Sequence, residues 1–253
     1  MVLHKSNDTD IPSNLGLNFN GKSIERVYEF KYLGVILDES LSFSSHFDLV
    51  VKKVTLHLGI IRRMFNYINF EMFLMLTNSY VFSHIDYCMT IYGCRPKLAL
   101  DNLQHKISKF VLSYTYKTKT LSKIVKTKAK NFWKLNFDIP NDVLYNLYEK
   151  CNFFTVNERL HFYSLVQMFK LLKFGSNCTH FDNLCTFTFS KSPRFQNLIN
   201  ITQRSSETLK RSIVYRFVNL WNELPNSMRD LNVGTVNFKK QISIFLLLQR
   251  NDH

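Results

Sequence analysis

The chain has 253 residues, of which 33 are Lys or Arg and 19 are Asp or Glu, so its formal charge is +14. Apolar residues make up 45% and aromatic residues 15%, which is far more hydrophobic surface than a disordered basic tail contains. Only 7 Gly and 5 Pro interrupt the chain, which excludes collagen-like and mucin-like proteins and disfavours a many-turned β-sandwich. The composition therefore predicts a globular protein that is mainly α-helical.

Compartment signals indicate an intracellular protein. No run approaches the roughly 18 uninterrupted apolar residues that a membrane-spanning helix needs, and the start of the chain has no secretory pattern. The five cysteines are odd in number and widely scattered, which favours reduced thiols over a disulfide framework. We therefore expect a protein of the nucleus or cytoplasm that is not secreted and does not bind a membrane.

The first 38 residues predict a short β segment. Residues 1–14 have no pattern and are expected to be disordered, whereas Leu15–Phe19 and Ile24–Phe30 flank Asn20-Gly21, a pair typical of hairpin turns. A third strand is predicted over Tyr32–Leu37. Because three short strands cannot enclose a core, residues 15–38 are interpreted as the edge of a sheet, and such an exposed edge can self-associate.

Helical periodicity follows. Seven apolar residues between Phe47 and Phe65 lie within one arc of a helix, with Ser44 or Ser45 as the predicted N-cap. The pattern divides the rest into a helical region over 39–140 and another over 141–253, with 175–205 read as an irregular connection. Further helices are predicted over Glu71–His84, Leu98–Ser113, Asn141–Cys151, Glu158–Phe174, a segment from Ser206 through Trp221 that ends at Pro225, and Val236–Leu248. The expected fold is a short N-terminal β segment followed by a multi-helix bundle.

A lysine-rich segment, residues 117–134, contains seven Lys and no acidic residue. On a helix, five of these lysines form a stripe about 22 Å long, opposite an apolar face that contains Leu121 and Ile124. The stripe comprises Lys119, Lys123, Lys126, Lys130 and Lys134. Because unpaired ammonium groups repel one another and a polyanion relieves the repulsion, the stripe predicts contacts with a phosphate backbone. The alternative is an ordinary solvated helix face.

Catalytic and metal-binding motifs are absent from the sequence. It contains no Gly-rich phosphate loop, no Gly-x-Ser-x-Gly, no His-Glu-x-x-His and no adjacent Asp-Asp pair. Cys178, His180 and Cys185 form the one metal-like cluster, but it lacks a fourth ligand, and two unconnected thiols explain it more simply. We predict no metal, no cofactor and no enzymatic activity.

An ordered set of short motifs resembles a known family. Phe30-Lys31-Tyr32-Leu33-Gly34-Val35-Ile36-Leu37-Asp38 precedes Leu41-x-Phe43-x-x-His46, and the likeness continues through Tyr92-Gly93, Leu103-Gln104, Val156-x-Glu158-Arg159, Phe169-Lys170, Leu220-Trp221-Asn222-x-Leu224-Pro225, Arg229 and Phe238-Lys239. Over about residues 15–248, this set resembles the part of non-LTR (LINE-type) retrotransposon reverse transcriptases that follows the catalytic palm.

The resemblance implies a primer-grip hairpin at Phe30, Tyr32, Leu33 and Gly34, followed by a helical thumb and a C-terminal helical region. The family's catalytic aspartates would lie before Met1, so the resemblance implies a polymerase fragment that binds template–primer nucleic acid, RNA or DNA, without sequence specificity and cannot extend it. Taken alone, Tyr32, Leu33 and Val35 also fit an ordinary strand core in which Gly34 permits close backbone approach.

Two other functional classes remain open. The chain can be a helical protein-interaction or structural module whose apolar surfaces bind a partner. It can also be a genomic remnant without a selected function. Salt-dependent binding of nucleic acid distinguishes the polymerase fragment from the interaction module, whereas the sequence alone distinguishes neither of them from a genomic remnant.

Overall fold

The computed structural model describes residues 17–24, 26–93, 97–117, 147–175, 187–189, 198–201 and 213–249. In these residues the protein is mainly helical, with eight α-helices and a pair of short two-stranded hairpins before them, which confirms the predicted fold class. The chain divides into two compact units. The N-terminal unit is Met1–Cys88 with Arg95–Ala99, and the C-terminal unit is Met89–Cys94 with Leu100–His253.

The first hairpin pairs β1 (Asn18–Phe19) with β2 (Lys22–Ser23) in antiparallel register. Asn20 and Gly21 have φ angles of 48° and 77°, which are the positive values of a type I′ turn. The predicted turn is confirmed, although the strands are shorter than expected.

The second hairpin pairs β3 (Glu29–Tyr32) with β4 (Val35–Asp38) and turns at Leu33-Gly34. The predicted division into strands Ile24–Phe30 and Tyr32–Leu37 is therefore wrong. Leu33 and Gly34 have φ angles of 46° and 84°, which an extended strand cannot contain. The three-strand edge is replaced by two separate two-stranded hairpins.

The helices of the N-terminal unit are α1 (Ser44–Arg63), α2 (Phe70–Leu76) and α3 (Ser83–Asp86), and a π-helical segment (Thr77–Phe82) joins the last two. Both predicted helices are confirmed. The predicted serine N-cap of α1 is wrong, because Phe43 occupies that position with φ 56° and no side-chain cap bond. The serine hydroxyls bond elsewhere, Ser45 Oγ to the carboxylate of Glu29.

Helix α1 carries the core of this unit on one face. From Phe47 onward its buried residues are spaced by three or four positions, as an amphipathic helix requires, and His46 precedes them directly. Helix α1 packs against β4 and the π-helical segment. Its buried residues are His46, Phe47, Val50, Val54, Leu58 and Ile61. The segment between the hairpins is held by an ion pair between Arg26 Nη2 and Glu39 Oε1 at 2.9 Å.

The C-terminal unit contains most of the length of five helices. They are α4 (Met89–Tyr92), α5 (Lys97–Lys117, which begins in the N-terminal unit), α6 (Val156–Phe174), α7 (Ile213–Glu223) and α8 (Thr235–Leu248). The helices predicted over Leu98–Ser113, Glu158–Phe174 and Val236–Leu248 are confirmed, and residues 147–151 are helical as expected. Residues 1–14, the lysine-rich segment 118–134 and the predicted cap Ser206 lie outside the described residues.

Residues 175–205 contain a hairpin that the sequence analysis missed. Strand β5 (Phe187–Phe189) pairs with β6 (Ile199–Ile201), so the prediction of a wholly irregular connection is wrong. Each strand alternates two apolar residues with one polar residue, but three residues are too few for a periodicity argument to detect. Helices α6, α7 and α8 enclose the core of this unit with Ile199, and Trp221, Phe238 and Ile242 are among its fully buried side chains.

Candidate functional site

The β3–β4 hairpin displays apolar side chains to solvent. Phe30, Tyr32 and Leu33 are 51%, 58% and 73% exposed, and β3 is exposed along its whole length. The opposite strand packs against α1, and its first residue, Val35, is buried. The four predicted grip residues are thus brought together at one hairpin tip. The alternative of an ordinary strand core holds for Val35 but is wrong for Tyr32 and Leu33.

Tyr87, which lies 54 residues after the turn in the sequence, supports the hairpin turn. Its hydroxyl donates a hydrogen bond to the carbonyl oxygen of Leu33 at 2.5 Å. A Cβ atom added at Gly34 would lie 3.4 Å from Tyr87 Cε1 and Oη, and the φ of +84° at Gly34 disfavours any L side chain there. The turn therefore requires glycine for its backbone conformation and leaves little spare room beside the tyrosine ring.

Asp38 organises the loop between β4 and α1. Its Oδ1 accepts hydrogen bonds from Ser40 N, Ser40 Oγ and Ser42 N at 2.6–3.1 Å, and its Oδ2 accepts from Phe43 N at 2.6 Å. Partial burial raises the pKa of the Asp38 carboxyl, but the hydrogen bonds from Ser40, Ser42 and Phe43 outweigh it, so the pKa lies below its ordinary value. A charged carboxylate thus compensates for the left-handed backbone at Leu41 and Phe43.

His46 connects the hairpin to α1. Its side chain is buried, and its Nδ1 lies 3.4 Å from the backbone nitrogen of Ile36, which donates to it. Burial, and then the charge of Lys53, lower the pKa of His46, so the imidazole is neutral at pH 7 and can accept this hydrogen bond. The motif from Phe30 to His46 is therefore one local structure: a hairpin whose inner strand is fastened to the helix that follows.

The recognised motif residues of the C-terminal unit also have structural partners. Gln104 Oε1 accepts a hydrogen bond from Val156 N at 2.7 Å, which joins α5 to the start of α6. Thr155 and Glu158 form a capping box: Glu158 N donates to Thr155 Oγ1 at 3.2 Å and Thr155 N donates to Glu158 Oε2 at 2.7 Å. Glu158 is therefore a helix cap rather than a candidate acid or base.

Asn222 joins α7 to β6 with its amide group. Its Oδ1 accepts from Ile199 N at 3.0 Å and its Nδ2 donates to Ile199 O at 2.9 Å, which imitates a strand pairing. Its neighbour Trp221 is fully buried, and Phe238 stacks on Phe169 with ring centroids 4.1 Å apart. The Leu-Trp-Asn-x-Leu-Pro motif thus builds the core instead of a reactive site.

Several sequence-predicted sites are not described by the structure. The stripe of Lys119, Lys123, Lys126, Lys130 and Lys134 and the cluster of Cys178, His180 and Cys185 lie outside the described residues. Within the described ranges, no three His, Cys, Asp or Glu side chains come together as a metal site requires. Burial raises the pKa of the Cys151 thiol to about 12, so that sulfur is not a nucleophile at pH 7. None of the helices in the described ranges combines the length and hydropathy needed to cross a bilayer.

Sequence reasoning missed the residues that hold the hairpin. The sequence analysis identified Asp38 and His46 as members of a motif but predicted no structural role for them, and it did not identify Tyr87. The spacing of Asp38, Ser40 and Ser42 is a usable signal, because aspartate commonly bonds backbone groups two residues on. Tyr87 gives no such signal, since it is 54 residues from Leu33. Comparisons of the chain with protein-family models, with curated proteins and with solved structures found no match.

Proposed function

We propose that this chain is the primer-grip, thumb and downstream helical part of a non-LTR retrotransposon reverse transcriptase, and that it binds nucleic acid without sequence specificity. The observation that carries the proposal is the supported hairpin that presents Phe30, Tyr32 and Leu33 to solvent. This hairpin lies at the start of the ordered motif set on which the resemblance depends.

The chemistry of the hairpin suits nucleic acid. Aromatic faces stack on bases of any identity, and each stacked base contributes about 1–3 kcal/mol. Phe30 and Tyr32 are two residues apart on β3, so their side chains lie on one face of the strand. Leu33 extends that apolar surface through the turn. The apolar face is small, and the hairpin that carries it is supported by Tyr87 and α1. A small, fixed surface of this kind suits contact with the end of a nucleic-acid strand.

The charge of the chain supports the same proposal. A net charge of +14 attracts a polyanion over the whole molecule. In the proposed function, Lys119, Lys123, Lys126, Lys130 and Lys134 contact successive phosphates, and the hairpin contacts bases. Since the 253 residues contain no adjacent Asp-Asp pair, we expect no primer extension by this chain with either Mg²⁺ or Mn²⁺.

The experiment is a binding titration of the full chain with a labelled single-stranded oligonucleotide and a labelled primer–template duplex, each in two unrelated sequences. We expect Phe30→Ala with Tyr32→Ala to weaken binding by about 1–3 kcal/mol for each base that stacks. The matched control is Tyr67→Ala, which removes a more exposed aromatic ring of the same unit, 86% exposed and outside the hairpin.

A second arm replaces the five lysines of the stripe with Gln. If each contacts one phosphate, the slope of log K against log[salt] becomes shallower by about 3.5–4.5. Equal losses in the hairpin variant and in Tyr67→Ala would refute a role for the hairpin. An unchanged salt slope in the lysine variant would assign the stripe to an ordinary solvated helix face.

One observation favours a second candidate, a protein-interaction module. In the described part of the chain, β3 pairs with β4 alone, so its outer backbone edge and its exposed apolar residues can pair with a second copy. Sedimentation of the full chain with and without the oligonucleotide separates the two proposals. Self-association that Phe30→Ala with Tyr32→Ala abolishes, without any nucleic-acid binding, would favour the interaction module.

A further inference from the structure

Three aromatic rings meet where α1 packs against the π-helical segment and α3. Lys53 and His57 are one turn apart on α1, and Tyr80 and His84 are four residues apart on the facing helix. The ring centroids of His57 and His84 are 4.9 Å apart, and that of Tyr80 is 5.7 Å from that of His57. These four residues are called the His57–His84 cluster.

The cluster is accessible and its protonation can change. Lys53 and Tyr80 are exposed, and the two imidazoles are half-buried. Nδ1 of His57 lies 2.8 Å from the carbonyl oxygen of Lys53, and because a carbonyl can only accept, Nδ1 carries a proton. Nε2 of His57 is therefore the ring nitrogen that carries no proton in the neutral imidazole.

Electrostatically, the cluster favours an anion. Burial, then His57, then Lys53 lower the pKa of His84, so the charged groups that act on this imidazole are both cationic. Asp86 lies two residues beyond His84, and residues with that spacing point to different sides of a helix. Asp48 lies nine residues before His57, on the opposite side of α1. As the pH falls, the cluster collects positive charge that an anion would neutralise.

We propose that the His57–His84 cluster binds a backbone phosphate of nucleic acid, and that it binds more tightly at mildly acidic pH. The inference rests on the proposed function, because it names a phosphate contact within that nucleic-acid interface. Lys53 supplies a permanent charge, and each imidazole adds a donor and a charge when it is protonated. Tyr80 offers a ring beside the phosphate on which a base or sugar can pack. A metal ion is disfavoured, because two imidazoles beside an ammonium group are a poor ligand set.

The experiment measures binding of the full chain to a labelled 20-nucleotide single strand over a range of salt concentrations at pH 7.5 and pH 5.5. Full protonation of both imidazoles would steepen the slope of log K against log[salt] by about 1.4. Because burial and then the neighbouring cations lower the pKa of His84, the steepening between the two pH values should be smaller than this full value. His57→Gln with His84→Gln should lose this steepening, whereas His105→Gln, a half-buried histidine of α5, should retain it. Circular dichroism of each variant checks that it is folded.

A second measurement needs no variant. Inorganic phosphate, compared with chloride at the same ionic strength, should raise the pKa of His84 in an NMR titration of the natural chain. No binding of the oligonucleotide at either pH would overturn the proposed function and this inference together. If the variant with His57→Gln and His84→Gln still binds and its salt slope still steepens at pH 5.5, the proposed function stands and this inference is overturned. A pKa of His84 that ignores phosphate, or imidazole signals that respond to Zn²⁺ alone, would also overturn it.

Discussion

In the C-terminal unit the largest side chains are buried against one another, whereas most of the large apolar side chains that stay exposed in the described residues belong to the N-terminal unit. The C-terminal core joins three helices through Trp221, Phe169 and Phe238. The hairpin of the N-terminal unit is held by hydrogen bonds, in which the side chains of Asp38, His46 and Tyr87 each bond to backbone groups. Hydrogen bonds from side chains to the backbone hold a hairpin in place without burying its apolar surface. That surface therefore stays able to bind a partner.

The motif residues fall into two groups, and this division does not coincide with the two units. Gln104, Glu158 and Asn222 in the C-terminal unit bond to backbone groups of a neighbouring element or helix end. Asp38 and His46 have the same role in the N-terminal unit. Phe30, Tyr32 and Leu33 are different, because the fold leaves them half-exposed or more. Packing in the described part of the chain does not account for their exposed side chains, so they are the residues to test first.

The largest effect is expected in the C-terminal core. Phe238→Ala removes a fully buried ring that stacks on Phe169 and approaches Trp221 at 6.0 Å, so the free energy of unfolding should fall by about 3–5 kcal/mol. Urea unfolding followed by Trp221 fluorescence, with Trp133→Phe in the background, measures the loss. Val236→Ala on the same helix, 67% exposed, should change it by less than about 0.5 kcal/mol. A loss below about 1 kcal/mol in Phe238→Ala would contradict the assigned core.

A smaller, localised loss is expected at Asp38. Asp38→Ala removes a charged acceptor of several hydrogen bonds and leaves two left-handed residues uncompensated, which should cost about 2–3 kcal/mol. Hydrogen exchange should accelerate in β4 and the first turns of α1 and remain unchanged in α6 and α8. Asp48→Ala, an exposed carboxylate of α1, is the matched control. Equal acceleration in both units would show that they do not unfold separately.

Replacing three glycines with alanine should change the stability of the protein in different directions. Gly93→Ala places Cβ 2.5 Å from Leu160 Cδ1 and from the backbone oxygen of Met89, and overpacking of this kind costs about 1–3 kcal/mol. Gly34→Ala should cost about 1–2 kcal/mol because its φ is +84°. Gly59→Ala, on α1 with open space around it, should stabilise the protein by about 0.5–1 kcal/mol. Thermal unfolding of the three variants measures these changes, and a stabilised Gly34→Ala would refute the left-handed turn.

Acidification should produce the smallest change, and it should occur in both units. Burial is the first cause that lowers the pKa of His46 in the N-terminal unit and of His161 in the C-terminal unit. The unfolded chain therefore binds more protons below pH 6.5, so stability is complete above that pH and declines as the pH falls toward the folded pKa.

His46→Asn separates the two contributions, because an amide oxygen can accept from Ile36 N without titrating. Hydrogen exchange at pH 7.0 and 5.5, corrected for intrinsic rates, measures how much protection each helix loses on acidification. In the variant this loss of protection should be smaller in α1 and unchanged in α6. An α1 that remains equally sensitive to acid in the variant would mean that another group controls its pH dependence.

Local patterns predicted most of the helical structure. The apolar spacing of α1, α6 and α8 gave their positions within a few residues, because each helix buries one face and its backbone bonds stay within four residues. The Asn20-Gly21 turn was predicted for the same reason, since two adjacent residues determine it. The pairing of β5 with β6 was missed, because its strands are short and one of them is fastened by Asn222 from a distant helix.

The sequence by itself determined that the chain is helical and basic, that a β segment precedes the helices, and which residues form the motif from Phe30 to His46. Only the tertiary structure decided that Leu33 and Gly34 form a turn instead of a strand, and that Phe30 and Tyr32 face solvent. The physical reason is distance along the chain. An apolar run such as Tyr32-Leu33-Gly34-Val35 is compatible with either conformation, and the choice is stabilised by contacts from α1 and from Tyr87, 54 residues away.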